Sequence, residues 1–369
     1  AQKKAEIDAI VNNPAEPTFE NTIMPLENSG EIFDKVTKVF FALSESDSSP
    51  EMTEISETFM PAVTKFSDEL TMNDKLFARI KRIYDNRDKA GLAPDQKRAV
   101  EEYYKNFTLN GALLPAEKKA ELMKVNSRLA ELYLQFNKNL LSATNSFSVT
   151  VSDPAELAGL PESSIQQAAD EAKARNLGEN KWVFTLHAPS RLPLLQYADN
   201  RDLRRKIYEG YTSLASSAPY DNRPVISEIL KYRARKAALL GFKDFASYST
   251  SKVMAKTPQN AENLLMQIWK PSVKKVNEEV AEMQAIADKE GAGITIQPWD
   301  YYYYAEKVRK AKYDLDENTV RQYFALDSVR NGIFNMAERL YGIKFTPMPD
   351  APKYNPEVTV FDVTDSKTG

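Results

Sequence analysis

One histidine, His187, and no cysteine occur in 369 residues. Zinc centres are assembled mainly from Cys and His side chains, three or four together. Neither a closed structural site nor a catalytic His₂Glu site can be built from this chain. Thiol nucleophiles, disulfides and thiol redox chemistry are excluded with the cysteines, and a Ser–His–acid triad would have to use His187. Glycine and proline are sparse, 12 and 20, which argues against a loop-rich all-β design. Charge of either sign is not in excess: 49 Lys and Arg stand against 52 Asp and Glu, a net −3. That balance points away from nucleic acid as a partner. The longest obvious apolar run, residues 39–43, is far too short to span a bilayer, so no membrane partner is expected. A glycine-rich phosphate loop, a dinucleotide fingerprint and an H-E-x-x-H motif are all missing. The chain opens on Ala1 without a basic-plus-apolar leader pattern and reads as a processed or trimmed product. Absent cysteines suit bacterial cytoplasm and periplasm equally.

What is present is helical periodicity. The length allows two or three structural units, and 42% hydrophobic with 27% charged residues is an ordinary globular composition. Over 115–146, Leu122, Val125, Leu129, Leu132, Phe136, Leu140 and Ala143 recur at steps of three and four. This predicts one buried stripe on a helix roughly 48 Å long at 1.5 Å per residue, with Pro115 in its first turn. Thr18 is placed to cap a helix beginning at Phe19. Asp221 is placed to cap one bearing Ile226, Ile229, Leu230, Ala237 and Leu240, with Gly241 just past its end. Thr257-Pro258 opens a run towards Glu290 that Pro271 should kink or divide. A last helical tract, 318–341, closes at Gly342, before a proline-bearing loop.

Two stretches change period. Phe147, Val149 and Val151 alternate with polar residues, and Trp182, Phe184 and Leu186 alternate with Val183, Thr185 and His187, which predicts half-buried strands. A helix around 163–176 between them makes a small strand–helix–strand insertion. A further β-prone run, 358–364, leads into a turn-like Asp365-Ser366-Lys367-Thr368-Gly369. Such a strand needs a returning partner, and the sequence stops where one would begin. The expectation is an unpaired strand and a cut inside a larger protein.

Candidate chemistry is thin. His187 at a strand end reads as a solvated or hydrogen-bonded residue, with neither Ser nor carboxylate motif beside it to make it a base. Glu278, Glu279 and Glu282 line one helix face as a hard cation would require, but Lys274 and Lys275 four residues earlier mark a solvated, charge-paired face. The block Pro298-Trp299-Asp300-Tyr301-Tyr302-Tyr303-Tyr304 is the most informative. With Asp300 as N-cap, four tyrosines occupy one helical turn and point all round it, so one or two should face a groove or interface. The bland alternative is that they close a helix–helix junction. Trp299, Tyr301, Tyr302, Tyr303 and Tyr304 are therefore the candidates for a substrate-facing surface. No residue is a candidate for catalysis or metal ligation.

Four stretches, in order, resemble the amino-terminal half of the thimet-oligopeptidase-like zinc metallopeptidases. They are Pro17-Thr18-Phe19-Glu20-Asn21-Thr22-Ile23-Met24-Pro25-Leu26-Glu27; Leu129-Ala130-Glu131-Leu132 with Phe136, Asn139-Leu140-Leu141 and Ala143-Thr144-Asn145; Asp221-Asn222-Arg223-Pro224 with Arg233-Ala234-Arg235-Lys236-Ala237 and Leu240-Gly241-Phe242; and Pro298-Trp299-Asp300 with Tyr303-Tyr304-Ala305-Glu306-Lys307-Val308-Arg309 and Tyr313-Asp314-Leu315. The last is similar to the peptidyl-dipeptidase (dipeptidyl carboxypeptidase) branch in particular.

The resemblance implies a mainly α fold: the helical-bundle half of a neurolysin-like ellipsoid with a small α/β insertion. It implies a helical region over 1–146, the insertion over 147–189, a second helical region over 190–348 forming a channel wall, and over 349–369 a loop and first strand leading to a missing catalytic region. Zinc is implied for the complete enzyme and none for this chain, because the ligand-bearing motif has no counterpart here. The implied partners are oligopeptide substrates and the missing carboxy-terminal region, and the implied activity of the whole is release of dipeptides from carboxyl termini. An oligopeptidase A-like endopeptidase portion, or a free-standing helical scaffold or binding module, are the alternatives.

Overall fold

The computed structural model describes residues 2–313, 320 and 322–369. It is mainly α. Helices α1 (Gln2–Val11), α2 (Met24–Glu27, entered through a π-type turn, Phe19–Ile23), α3 (Glu31–Ser46), α4 (Pro50–Thr71), α5 (Asp74–Asn86), α6 (Pro94–Leu109) and α7 (Ala116–Ser146) come first. Then follow β1 (Ser148–Val151), α8 (Glu162–Ala174), β2 (Trp182–Thr185), α9 (Ala188–Tyr197) and α10 (Arg201–Thr212). The remainder is α11 (Arg223–Leu239), α12 (Phe245–Ser251), α13 (Pro258–Lys289), α14 (Tyr301–Tyr313), α15 (Leu326–Tyr341), β3 (Ile343–Pro347) and β4 (Phe361–Asp365). Two compact units result, each discontinuous: Ala1–Phe147 with Thr212–Ser272, and Ser148–Tyr211 with Val273–Gly369. The second helical region expected over 190–348 is thus shared between them.

The first unit has two cores. In one, Leu76, Phe77, Ile80 and Ile83 of α5 recur on one face and pack with Ile7, Ile10, Ile23, Val100 and Phe107. The Tyr84 and Tyr104 rings stack on it, centroids 3.9 Å apart. The opening motif owes its residues to a buried arginine. Arg79 donates through Nη1 to the Asn13 carbonyl at 2.8 Å, through Nη2 to Asn21 Oδ1 at 3.0 Å and through Nε to Thr22 Oγ1 at 3.2 Å. Thr18 caps the turn as expected, its Oγ1 accepting from the Asn21 amide while Asn21 Oδ1 accepts from the Thr18 amide. In the other core, Leu122, Val125, Leu129 and Leu132 of α7 meet Val225, Ile229 and Leu239 of α11. Asn222, buried at the start of α11, donates to the Phe136 carbonyl at 3.0 Å and accepts from Asn139. Asp221 accepts from the Arg223 amide, and Gly241 adopts a φ of +80° just beyond the helix.

Helix α13 runs unbroken through Pro271 instead of dividing there, and the boundary between the units falls one residue later. Residues 262–278 are exposed throughout, Leu264, Leu265, Ile268 and Trp269 among them.

In the second unit, β1 and β2 pair antiparallel, with Val149 opposite Phe184, and α8 and α9 pack on β2. The strand–helix–strand segment therefore forms, but β2 is not half-buried: Val183, Phe184 and Thr185 are all buried, because helices cover it as well as β1. The end of the chain also differs from expectation. Strand β4 is paired, antiparallel, with β3, Phe345 lying opposite Val363. Phe334 of α15 closes the sheet, stacked on Phe345 at 4.0 Å and edge-on to Phe361 at 4.9 Å. The partner lies upstream, in the stretch that Pro347 made read as loop. Of the helical tract expected over 318–341, α15 is the described helix; Asn318 lies outside the described residues, as do Asp314 and Leu315.

Candidate functional site

The aromatic block is organised by Asp300, in the second unit. Pro298–Asp300 form a 3₁₀ turn that runs directly into α14. Expected as the N-cap of that helix, Asp300 instead turns its carboxylate backwards, accepting from the Gln297 amide at 3.1 Å. It is wholly buried, with two guanidinium groups around it. Arg201 donates from Nη2 to Oδ2 at 2.8 Å and from Nε to both oxygens at 3.1 Å; Arg204 donates from Nη2 to Oδ1 at 2.8 Å. Arg204, itself 2% exposed, also donates to the Ala198 carbonyl at 2.7 Å. A buried carboxylate must be paired and hydrogen-bonded to stay charged. Burial works to raise its pKa, but the hydrogen bonds from Arg201, Arg204 and Gln297 outweigh it and hold the carboxyl below its ordinary value.

Around this anchor the tyrosines take four different roles. Tyr304 is buried against Met283 and Ala287 of α13. Tyr303 donates to Asp199 Oδ1 at 2.8 Å, with the Arg204 guanidinium 4.1 Å from its ring centre and the Lys307 ammonium 4.6 Å. Tyr301 donates to Glu279 Oε2 at 3.0 Å. Tyr302 is 40% exposed, edge-on to Tyr301. Burial, above all, raises the pKa of Tyr301, Tyr303 and Tyr304, so all three phenols stay protonated donors at neutral pH. Trp299 sits between the Arg201 and Arg205 guanidinium groups, 5.7 and 5.2 Å from its ring, with Tyr208 edge-on at 6.4 Å. Its buried indole N–H has no acceptor among the described residues. The loop before α8 can approach Asp199 only because Gly159, at φ +84°, lacks a Cβ; one there would lie 2.2 Å from the Tyr197 carbonyl oxygen.

The remaining candidates fall elsewhere. His187 is exposed at the start of α9, its carbonyl accepting from the Ser190 and Arg191 amides. The carboxylates of α13 are engaged singly: Glu279 by Tyr301, Glu282 by Lys312 at 2.6 Å, Glu278 by Lys275 at 3.7 Å. Among the described residues no three His, Asp or Glu side chains converge as a metal site. Arg201 and Arg204 are the organisers that sequence reasoning missed. The available signal was Arg204 itself, a charge set on the apolar face of α10 beside Leu203 and Ile207.

Residues 194–369 match the model of peptidase family M3, and residues 1–119 match that of the neurolysin/thimet oligopeptidase N-terminal domain. The chain is 38% identical over 366 residues to the dipeptidyl carboxypeptidase of Escherichia coli (strain K12), covering 99% of this chain and 54% of that protein. It is 36% identical over 367 residues to the Salmonella typhimurium dipeptidyl carboxypeptidase, again covering 99% of this chain and 54% of the relative. To the Salmonella typhimurium oligopeptidase A it is 32% identical over 370 residues, with the same coverage of 99% and 54%. The chain spans about half the length of the curated relatives it matches.

Proposed function

We propose, from the matches to peptidase family M3 and to the neurolysin/thimet oligopeptidase N-terminal domain, that the chain belongs to this family and is the non-catalytic amino-terminal portion of a zinc metallopeptidase. The parent protein would release dipeptides from the free carboxyl termini of oligopeptides, and this portion would form part of the substrate channel. The observation behind this reading is one of extent: similarity to a dipeptidyl carboxypeptidase runs over 99% of this chain but 54% of the relative. The residues present do not fit zinc: the chain has one His and no Cys, and among the described residues no three His, Asp or Glu side chains converge. Metal and general base therefore belong, in this reading, to the remaining part of the parent.

The contribution of this chain is to bind and orient. Tyr302 offers an exposed ring with a hydroxyl at its tip, suited to a peptide that presents apolar and polar groups together. Tyr301, held by its hydrogen bond to Glu279, packs edge-on to that ring. Burial raises the phenol pKa of Tyr301 and Tyr303, so they stay protonated near neutral pH and can shape a binding surface without taking part in proton transfer. A second reading, an endopeptidase portion, draws on the 32% identity to oligopeptidase A.

The parent protein, given a pentapeptide with a free or an amidated carboxyl terminus, tests the first reading against the second. Mass spectrometry should find dipeptides released from the free acid and none from the amide. Internal cleavage of both would favour the endopeptidase. Peptidase activity of the 369-residue chain, surviving removal of trace parent enzyme, would overturn the non-catalytic assignment.

A further inference from the structure

A second constellation lies entirely within the first unit, where α4, α7, α11 and α12 line a half-open pocket of about 520 Å³. Asp68 of α4 lines it and is 8% exposed. Among the described residues its carboxylate accepts one hydrogen bond, from Asn126 Nδ2 at 2.8 Å. Lys236 of α11 also lines the cavity, its ammonium donating to Asn126 Oδ1 at 2.7 Å. No carboxylate of the described residues pairs with that ammonium, and no cation pairs with Asp68. Opposite charges in a poorly solvated pocket attract strongly. Here one amide lies between them, and each keeps free hydrogen-bonding capacity: two of the three N–H donors on the lysine, and on the aspartate the acceptor sites that Asn126 does not use. Burial outweighs the Asn126 hydrogen bond and the attraction between the two charges, pushing the Asp68 pKa up to about 6 and that of Lys236 down.

The rest of the lining is suited to a small peptide. Asn137 adds a side-chain amide and Asn110, whose Nδ2 donates to Asn106, a side-chain carbonyl, and Leu129, Leu134 and Phe245 supply apolar wall. Tyr133 is fixed there by Arg233, whose Nε donates to its hydroxyl at 2.8 Å. The volume falls within the range of small-molecule sites, which are mostly apolar with a few placed polar groups.

We propose that this cavity binds a zwitterion of dipeptide size, its free ammonium on Asp68 and its free carboxylate on Lys236, with Asn126 between them. Two charges that are bridged by an amide and not in direct contact are each matched by one end of the same ligand. A single amino acid underfills the space, and a peptide blocked at both ends leaves both buried charges unpaired. None of these residues belongs to the 299–304 block, so the proposal stands or falls apart from the function proposed above.

Calorimetric titration of the 369-residue chain with leucyl-alanine is the test, beside N-acetyl-leucyl-alanine amide and free leucine as controls. One site per chain is expected for leucyl-alanine, with at least tenfold weaker binding of both controls. Asp68→Asn and Lys236→Met, checked for native far-ultraviolet circular dichroism, should each weaken leucyl-alanine binding at least tenfold. Absence of binding to the unaltered chain would overturn the proposal. So would equal affinity for the blocked peptide or for leucine, or unchanged affinity in both variants. If either variant fails to fold, the comparison of free with blocked peptide on the unaltered chain still decides.

Discussion

Two buried aspartates, one in each unit, have been handled in opposite ways. Asp300 has two guanidinium groups in hydrogen-bonding contact and a lowered pKa. Asp68 has one neutral amide in contact and a pKa raised to about 6. Burial pushes both carboxyls upward; what decides the outcome is whether a cation is close enough to hydrogen-bond. The first arrangement is closed, every strong acceptor position on Asp300 being met by a donor, and it serves to hold an aromatic block in place. The second is open. Its charges face a cavity and are kept from each other. The same side chain thus builds scaffold in one place and leaves chemistry available in another.

The largest effect should come from breaking the closed arrangement. Asp300→Ala removes the shared partner of Arg201 and Arg204 and leaves the buried Arg204 uncompensated, at a cost of about 3–5 kcal/mol. Urea denaturation followed by tryptophan fluorescence should report it, since Trp299 lies beside Arg201. Loss of less than about 1 kcal/mol would show that water reaches the guanidinium groups.

The two aspartates should also differ in the sign of their pH dependence. For Asp300 the folded pKa is depressed, so its contribution is present above the unfolded value, about 4, and is lost as pH falls through the folded value. For Asp68 the folded pKa is raised, so its contribution is full below about pH 4 and is lost as pH rises towards about 6. Asp68→Asn should therefore abolish a decline in stability between pH 4 and 6, on the order of 1–2 kcal/mol. Denaturation midpoints measured across that window check it; an unchanged slope in the variant would place the Asp68 pKa near its ordinary value.

A smaller effect is expected at the rim of the closed arrangement. Tyr303→Phe keeps the ring between Arg204 and Lys307 but removes the hydrogen bond to Asp199, costing about 1 kcal/mol. A loss as large as that of Asp300→Ala would mean that the Asp199 contact, not the ion pairs, holds the block.

Much of the helical frame was legible, because one-sided burial leaves a period. The stripe from Leu122 to Ala143 predicted α7, which spans Ala116–Ser146, and the alternation at Val149 and Val151 predicted β1. The failures share a physical cause: they depend on residues distant in sequence. Asp300 looked like a helix cap because its neighbours permit one, and only the arginines of α10, about a hundred positions earlier, turn it inward. The run 358–364 looked unpaired because its partner, β3, is a five-residue strand ending in Pro347. That four tyrosines in a row could not share one environment was apparent from helical geometry. Which of them stays exposed was not, because that depends on Asp199 and Glu279. The Asp68–Asn126–Lys236 cluster left no local signal at all, as each residue sits on a different helix.

In the proposed function this chain shapes where the substrate lies and takes no part in the bond-breaking step. Steady-state kinetics of the parent protein bearing Tyr302→Ala address it most directly, since Tyr302 is the exposed member of the block, its ring edge-on to Tyr301. With a free-carboxylate oligopeptide, KM should rise several-fold while kcat stays within about twofold of the unaltered protein, the pattern of binding lost equally from ground and transition states. An equal fall in kcat and kcat/KM, with KM unchanged, would put the tyrosine at the transition state and contradict the claim.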